Sequence, residues 1–138
     1  MPGTPPINIC FLITRGDSIG GASIHVRDLA SRLIQDGHNV QVLVGHGNAV
    51  LNLFLEAQLP VKQIPSLKRS LHPFRDLKAL REIIKTLVST KPAILSCHTS
   101  KAGALGRIAG TLLSIPTLYT PHCWPFAERS GKARYYLY

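Results

Sequence analysis

Apolar residues along this chain fall into short continuous runs separated by longer stretches with helical spacing. Ile7 to Thr14 is almost wholly apolar, as expected of a parallel strand covered on both faces. Val26, Leu29, Ala30, Leu33 and Ile34 then recur at i, i+3, i+4, i+7 and i+8, the stripe of an amphipathic helix. The turn Asp36-Gly37-His38 leads into a second strand over 39–45. A short helix over 50–57 and a short strand over 61–64, bounded by Pro60 and Pro65, come next. Pro73 opens a long helix to Thr90, with Leu77, Leu80, Ile84, Leu87 and Val88 expected on its inner face. A strand over 93–98, a helix over 101–113 and a strand over 117–120 complete the pattern. Strict alternation of this kind predicts an α/β fold, a Rossmann-like doubly wound parallel sheet, preceded by a tail over residues 1–6.

In such sheets ligands bind beyond the C-terminal ends of the strands. Polar residues of this chain gather there. The first strand runs into Arg15 and the loop Gly16-Asp17-Ser18-Ile19-Gly20-Gly21-Ala22-Ser23, which opens a helix. A glycine turn at a helix N-terminus offers free N–H groups and the positive end of the helix dipole to an anion. The dinucleotide spacing Gly-x-Gly-x-x-Gly is absent, and Ala22 stands where a P-loop lysine would be. A purely conformational use of the glycines, for a tight turn and close packing, is the alternative. The fourth strand ends in His98-Thr99-Ser100-Lys101, and the fifth in Pro121-His122-Cys123-Trp124. No carboxylate accompanies either histidine in its loop, so a Ser-His-Asp triad or a carboxylate pair has no support.

Composition narrows the setting. The chain has 138 residues, 45% hydrophobic and 17% charged, enough for one core. No apolar run reaches the ~20 residues of a membrane-spanning helix. Three cysteines without a Cys-x-x-Cys pair point to a reducing, cytoplasmic setting. The net charge is +9, and Lys62, Lys68, Arg69, Arg75, Lys78, Arg81, Lys85 and Lys91 concentrate it in one central stretch. A solvated helix face explains Lys78, Arg81 and Lys85, and an anionic membrane surface is a second reading. Nucleic acid is set aside because the run offers no platform for base stacking.

Three segments in this order resemble a known family. Gly20-Gly21-Ala22 running into His25-Val26, then His98-Thr99-Ser100-Lys101-Ala102-Gly103 with Gly106-Arg107, then Thr120-Pro121-His122-x-Trp124-x-Phe126, are similar to the N-terminal domain of family 4 glycosyltransferases. The likeness is greatest to bacterial members that build polysaccharides. It implies the acceptor-side half of a two-domain GT-B enzyme that transfers sugar with retention, from a nucleotide-diphosphate sugar to a glycan or lipid-linked acceptor. It implies Gly20, Gly21 and Ala22 as the donor-diphosphate loop and His122 as the catalytic side chain, hydrogen-bonded to the donor sugar. Arg15, His98, Thr99, Ser100, Lys101 and Trp124 are acceptor or substrate candidates. No metal and no cofactor is expected, because the loop and helix dipole neutralise the diphosphate. The family usually has Gly where Cys123 stands.

The helix pattern is still open at Tyr138, so the donor domain is expected beyond it and the chain alone is expected to be inactive. The enzyme is expected in the cytoplasm, against the inner membrane face. The alternatives are a nucleotide- or phosphate-binding regulatory module, a basic scaffold on anionic membrane, and a GT-B epimerase. A zinc site from Cys97, His98, His122 and Cys123 is disfavoured, since adjacent strand residues point to opposite faces.

Overall fold

A computed structural model describes residues 5–122. The elements are β1 (Asn8–Ile13), α1 (Gly21–Gln35), β2 (Asn39–Val44), α2 (Ala49–Glu56), β3 (Val61–Gln63), α3 (Pro73–Thr90), β4 (Ile94–His98), α4 (Ser100–Leu113) and β5 (Thr117–Thr120). All strand pairs are parallel, in the order β3-β2-β1-β4-β5. The chain therefore builds outward from β1 in one direction, then returns to pair β4 with its other edge. The crevice outside the C-terminal ends of β1 and β4 is the topological switch point, where doubly wound sheets bind ligands.

Alternate residues of each strand feed two cores. Cys10, Leu12, Leu43, Leu95 and Cys97 pack with Ala79, Ile83 and Leu87 of α3 and Ala102 and Ala109 of α4. Ile9, Phe11, Ile13, Val42 and Val44 pack on the other face with Val26 and Ala30 of α1 and Val50 and Phe54 of α2. Burial pushes the thiols of Cys10 and Cys97 up to about 12, so both are inert apolar packing groups.

In two helices the inner face differs at its edges from that expected, although Leu80, Ile84 and Leu87 of α3 and Val26, Ala30 and Leu33 of α1 do meet the cores. The buried residues of α3 are Ala79, Ile83, Thr86 and Leu87, whereas Leu77 and Val88 are exposed. Small Ala79 lets α3 approach the sheet, and Thr86 is tolerated inside because its hydroxyl donates to the Glu82 carbonyl and accepts from Lys62 Nζ. In α1 the inner residues are Ser23, Val26 and Ala30, with Leu29 and Ile34 at the boundary.

The glycines of α4 are packing devices. A Cβ at Gly103 would lie 2.6 Å from the Tyr119 ring, and one at Gly106 or Gly110 would collide with Cys97 Sγ or Thr117 Oγ1. This helix therefore lies almost directly on β4 and β5. Gly16, Gly45 and Gly47 likewise hold backbones against one another, since a Cβ at any of them would strike neighbouring main-chain atoms.

Candidate functional site

Gly20 and Gly21 differ from those packing glycines. A Cβ at either would meet no atom within 4 Å, and Gly20 is extended, at φ −153° and ψ −176°. Neither packing nor a left-handed backbone requires glycine there. The space above them is open. The Ser23 hydroxyl donates to the Gly20 carbonyl at 2.8 Å and accepts from the Gly20 amide at 2.9 Å, fixing the start of α1. No described residue accepts from the Gly21 or Ala22 amides, and no acid occupies the first turn. The open end of a fifteen-residue helix thus faces the crevice with its positive pole uncompensated. Arg15 lies beside it, hydrogen-bonded to Ser18 and 3.6 Å from Asp17.

Across the switch point, Ser96 and His98 leave β4 on the α1 side, two residues apart and hence on one face. His98 is 1% exposed, with its ring 5.6 Å from Phe11 and 5.1 Å from His122 between centroids. Its Nε2 lies 3.0 Å from Ser96 Oγ, and its Nδ1 lies 2.8 Å from His122 Nε2. Burial first, then the neighbouring His122 and His25, lower His98 from 6.5 to about 4, so it is neutral at pH 7. His122 is lowered as well, by burial and by His25.

A neutral imidazole has one donor and one acceptor. The Ser96 hydroxyl has no partner among the described residues other than His98. Every proton finds an acceptor in one arrangement. Ser96 donates to His98 Nε2, and His98 Nδ1–H donates to His122 Nε2. His122 therefore carries its own proton on Nδ1, as a donor. The reverse order would orphan the buried serine proton, at about 1–3 kcal/mol.

His25, on the second turn of α1, completes the group, its ring 5.1 Å from His122 and 5.7 Å from His98. Ligand atoms of the three histidines lie within 4.8 Å of one another, the arrangement among the described residues that could hold a metal ion. The 2.8 Å contact between His98 and His122 is a hydrogen bond, shorter than the about 3.3 Å edge that 2.0–2.1 Å bonds to a tetrahedral ion require. Cys97 points into the opposite core and takes no part.

The remaining candidates divide. Thr99 ties the two sides of the switch point, its hydroxyl donating to Thr14 Oγ1 at 2.9 Å and accepting from the Thr14 amide at 3.3 Å. It does so at φ +90°, a strained position for a β-branched residue. Ser100 is exposed at the first residue of α4. Lys101 is turned away from the crevice. Its Nζ donates to the carbonyls of Lys68 and Ser70 and pairs with Asp76 at 2.5 Å, so no free ammonium remains for an acceptor. Cys123, Trp124 and Phe126 lie outside the described residues. The shallow hollow lined by Asn8, Asn39 and Pro92 is at the opposite edge of the sheet and holds none of these groups. His25 received no role from the sequence, although its place four residues after Gly21 on a helix aimed at the crevice is legible there.

Comparison with known proteins gives the family and the fold. The profile of Glycosyltransferase Family 4 matches residues 19–138. The chain belongs to glycosyltransferase family 4. An Escherichia coli relative, UDP-Gal:alpha-D-GlcNAc-diphosphoundecaprenol alpha-1,3-galactosyltransferase, is 35% identical over 71 residues, 51% of this chain and 18% of its own. Anabaena HepE in complex with UDP superposes with a TM-score of 0.72 at 20% identity, covering 92% of this chain and 32% of HepE. Acinetobacter baumannii MurG follows at 0.70 and 21%, covering 84% and 35%. The UDP-GlcNAc 2-epimerase of Neisseria meningitidis gives 0.67 at 11%, covering 92% and 36%. The fold is thus that of the N-terminal Rossmann-like domain of GT-B glycosyltransferases. The chain spans about a third of these solved structures and under a fifth of the curated relative.

Proposed function

We propose that this chain is the acceptor-side domain of a retaining glycosyltransferase that moves a hexose from a nucleotide-diphosphate sugar to a glycan or lipid-linked acceptor. The observation that carries this reading is the juxtaposition at the switch point. A helix N-terminus whose Gly21 and Ala22 amides have no described acceptor opens beside His122, whose Nε2 is hydrogen-bonded to His98 Nδ1 and whose Nδ1 is left to a ligand. The first suits a diphosphate. The second suits a sugar or phosphate oxygen on which negative charge grows as the glycosidic bond breaks. The missing half of the cleft, the donor domain, completes the enzyme, and no metal or cofactor is needed to neutralise the diphosphate. The names of the relatives support the substrate class. The Escherichia coli enzyme is named for a UDP-galactose donor and a diphosphoundecaprenol-linked acceptor, and HepE was crystallised with UDP and with UDP-glucose.

In this reading His122 donates Nδ1–H to the donor sugar or its departing phosphate and steadies the oxocarbenium-like transition state. His98 and Ser96 act through it, as positioning residues. Arg15 adds positive charge beside the diphosphate, and Ser100 and Trp124 remain acceptor-side candidates. The test uses the full-length protein and a panel of nucleotide sugars, first for hydrolysis and then for transfer. His122→Ala is expected to lower kcat about a hundredfold, the usual effect of losing one preorganised donor. Gly21→Leu is expected to leave the fold intact and to abolish donor binding by filling the open space. Unchanged turnover in the first variant removes His122 from the mechanism, and normal donor affinity in the second overturns the loop assignment.

A further inference from the structure

Three imidazoles stand together in the crevice, and the hydrogen-bond relay from Ser96 through His98 to His122 uses two of them. The third, His25, projects from the exposed side of α1, four residues after Gly21 and so on the same helix face. Its side chain makes no hydrogen bond among the described residues, although its ring is 5.1 Å from that of His122 and 5.7 Å from that of His98. One nitrogen from each histidine lies within 4.8 Å of the other two. No carboxylate belongs to this group, so its ligands are nitrogen alone. Such a set suits Zn²⁺, Co²⁺, Ni²⁺ or Cu²⁺, whereas Mg²⁺ and Ca²⁺ take oxygen ligands. Three protein ligands with a fourth position left to solvent is the arrangement of an open zinc site.

Small movements close the site. Bonds of 2.0–2.1 Å to a tetrahedral ion hold nitrogens about 3.3 Å apart. His98 Nδ1 and His122 Nε2, now 2.8 Å apart, would separate by about half an ångström, and His25 would approach by about 1.5 Å at most. Both rings that move belong to exposed residues, so rotation about their side-chain bonds suffices. His98, 1% exposed and held by Ser96, is the fixed ligand. The positive pole of α1 acts mainly within the first turn, and His25 stands on the second, so the pole opposes a dication only weakly.

We infer that His25, His98 and His122 form a reversible site for a transition-metal dication of the Zn²⁺ class, and that filling it switches the relay off. Ion and relay exclude one another, because both claim His98 Nδ1 and the lone pair on His122 Nε2. To ligate, His98 shifts its proton from Nδ1 to Nε2, where it donates to Ser96 Oγ, and no proton is gained or lost. The serine hydrogen then loses its acceptor. His122 is drawn towards the ion and out of the position in which it serves the donor sugar. The binding rests on the geometry alone, and the inhibition rests on the transferase reading.

The experiment is calorimetric titration of the metal-free full-length protein with zinc chloride at neutral pH. His25→Ala and His122→Ala should each weaken binding at least about tenfold, since losing even a residue that merely hydrogen-bonds a ligand costs that much. His46→Ala, which removes an exposed imidazole outside the group, should leave it unchanged. Co²⁺ should give the visible absorption of a four-coordinate site in wild type and not in His25→Ala, and Mg²⁺ should not compete. Zn²⁺ should raise the melting temperature of wild type more than that of His25→Ala, and unchanged circular dichroism would show that the variants fold. In transfer assays Zn²⁺ should inhibit and a chelator should restore the rate. No zinc binding, or binding equal in wild type and both variants, would overturn the site whatever the transfer assays give. Zinc held by these histidines with the rate undiminished would overturn the switch. Metal binding lost in both variants, in a protein that transfers no sugar, would uphold the site and count against the transferase reading instead.

Discussion

Acid should destabilise this fold through His98, because burial disfavours the charged form of its ring. The ring is 1% exposed, wedged between Phe11, His122 and His25, and both nitrogens are already hydrogen-bonded. Its pKa is about 4 in the fold against 6.5 when exposed. Between those values the unfolded chain binds a proton that the folded chain refuses, so stability rises with pH in that window. The contribution is complete above 6.5 and is lost as pH falls towards 4. At about pH 5 the 1.5 pH units below 6.5, at 1.36 kcal/mol each, amount to about 2 kcal/mol. The diagnostic variant is His98→Asn, whose side-chain amide can still donate towards His122 but does not titrate. Urea unfolding followed by circular dichroism at about pH 7.5 and about pH 5 should show wild type losing about 2 kcal/mol more than the variant. Equal losses in the two proteins would refute the buried, neutral assignment. Histidine-selective two-bond nitrogen–proton spectra would check it independently, since the His98 resonance should not move above about pH 5.

Three further outcomes follow from the packing and the relay. Ser96→Ala removes the donor that fixes the His98 tautomer, and kcat of the full-length enzyme should fall about tenfold with KM little changed; nitrogen spectra should then show His122 as a mixture of tautomers, and a single unchanged tautomer would refute the relay. Gly106→Val drives a side chain into Cys97 and the sheet, so the melting temperature should drop by the equivalent of about 1–3 kcal/mol. Burial alone would raise the Asp76 carboxyl, but the Lys101 hydrogen bond, the His72 amide and the charges of Lys101 and Arg75 outweigh it and hold the group below its usual value. Lys101→Met leaves that carboxylate without its partner, so the loop over 66–72 should gain protease sensitivity, and an unaltered digestion pattern would show that the pin is dispensable.

Much of this was legible in the chain because strands and turns announce themselves locally. The strand starting at Asn39, the helix from Pro73 to Thr90 and the strand from Thr117 to Thr120 lie where apolar runs, prolines and glycines put them. Rotation of a helix is another matter. Along α3 apolar residues occupy two stripes, one through Ala79, Ile83 and Leu87 and one through Phe74, Leu77 and Val88. Counting large apolar groups adds Leu77 and Val88 to the inner face, but the sheet takes Ala79 and Ile83 beside Leu80, Ile84 and Leu87, and small Ala79 allows the close approach. Partners distant in sequence were illegible for a related reason. Lys101 at a helix start looks like an anion ligand until a loop 33 residues earlier supplies two carbonyls. His25 shows the limit from the other side, since its helix was plain but its meeting with His98 depends on the β1–β4 pairing.

The same pairing explains why a buried histidine persists at the end of β4. Its neighbours across the sheet face, Phe11 and Ile13, are apolar, and a hydrophobic residue at position 98 would need no hydrogen bonds at all. Burying an imidazole there requires two partners of defined polarity, Ser96 beneath and His122 above. Polar groups held inside a core at a net loss of stability mark places where geometry is being fixed for another purpose. Here the fixed object is His122, which stands exposed two residues after β5 and would otherwise exchange between two tautomers. Anchoring it to His98, which is anchored in turn to a strand of the sheet, transfers the rigidity of β4 to a loop side chain. The glycine turn receives the same treatment from Ser23 at the start of α1. In the proposed transferase, the glycine turn and His122 would both be set in place before a ligand arrives, which electrostatic stabilisation of a transition state requires.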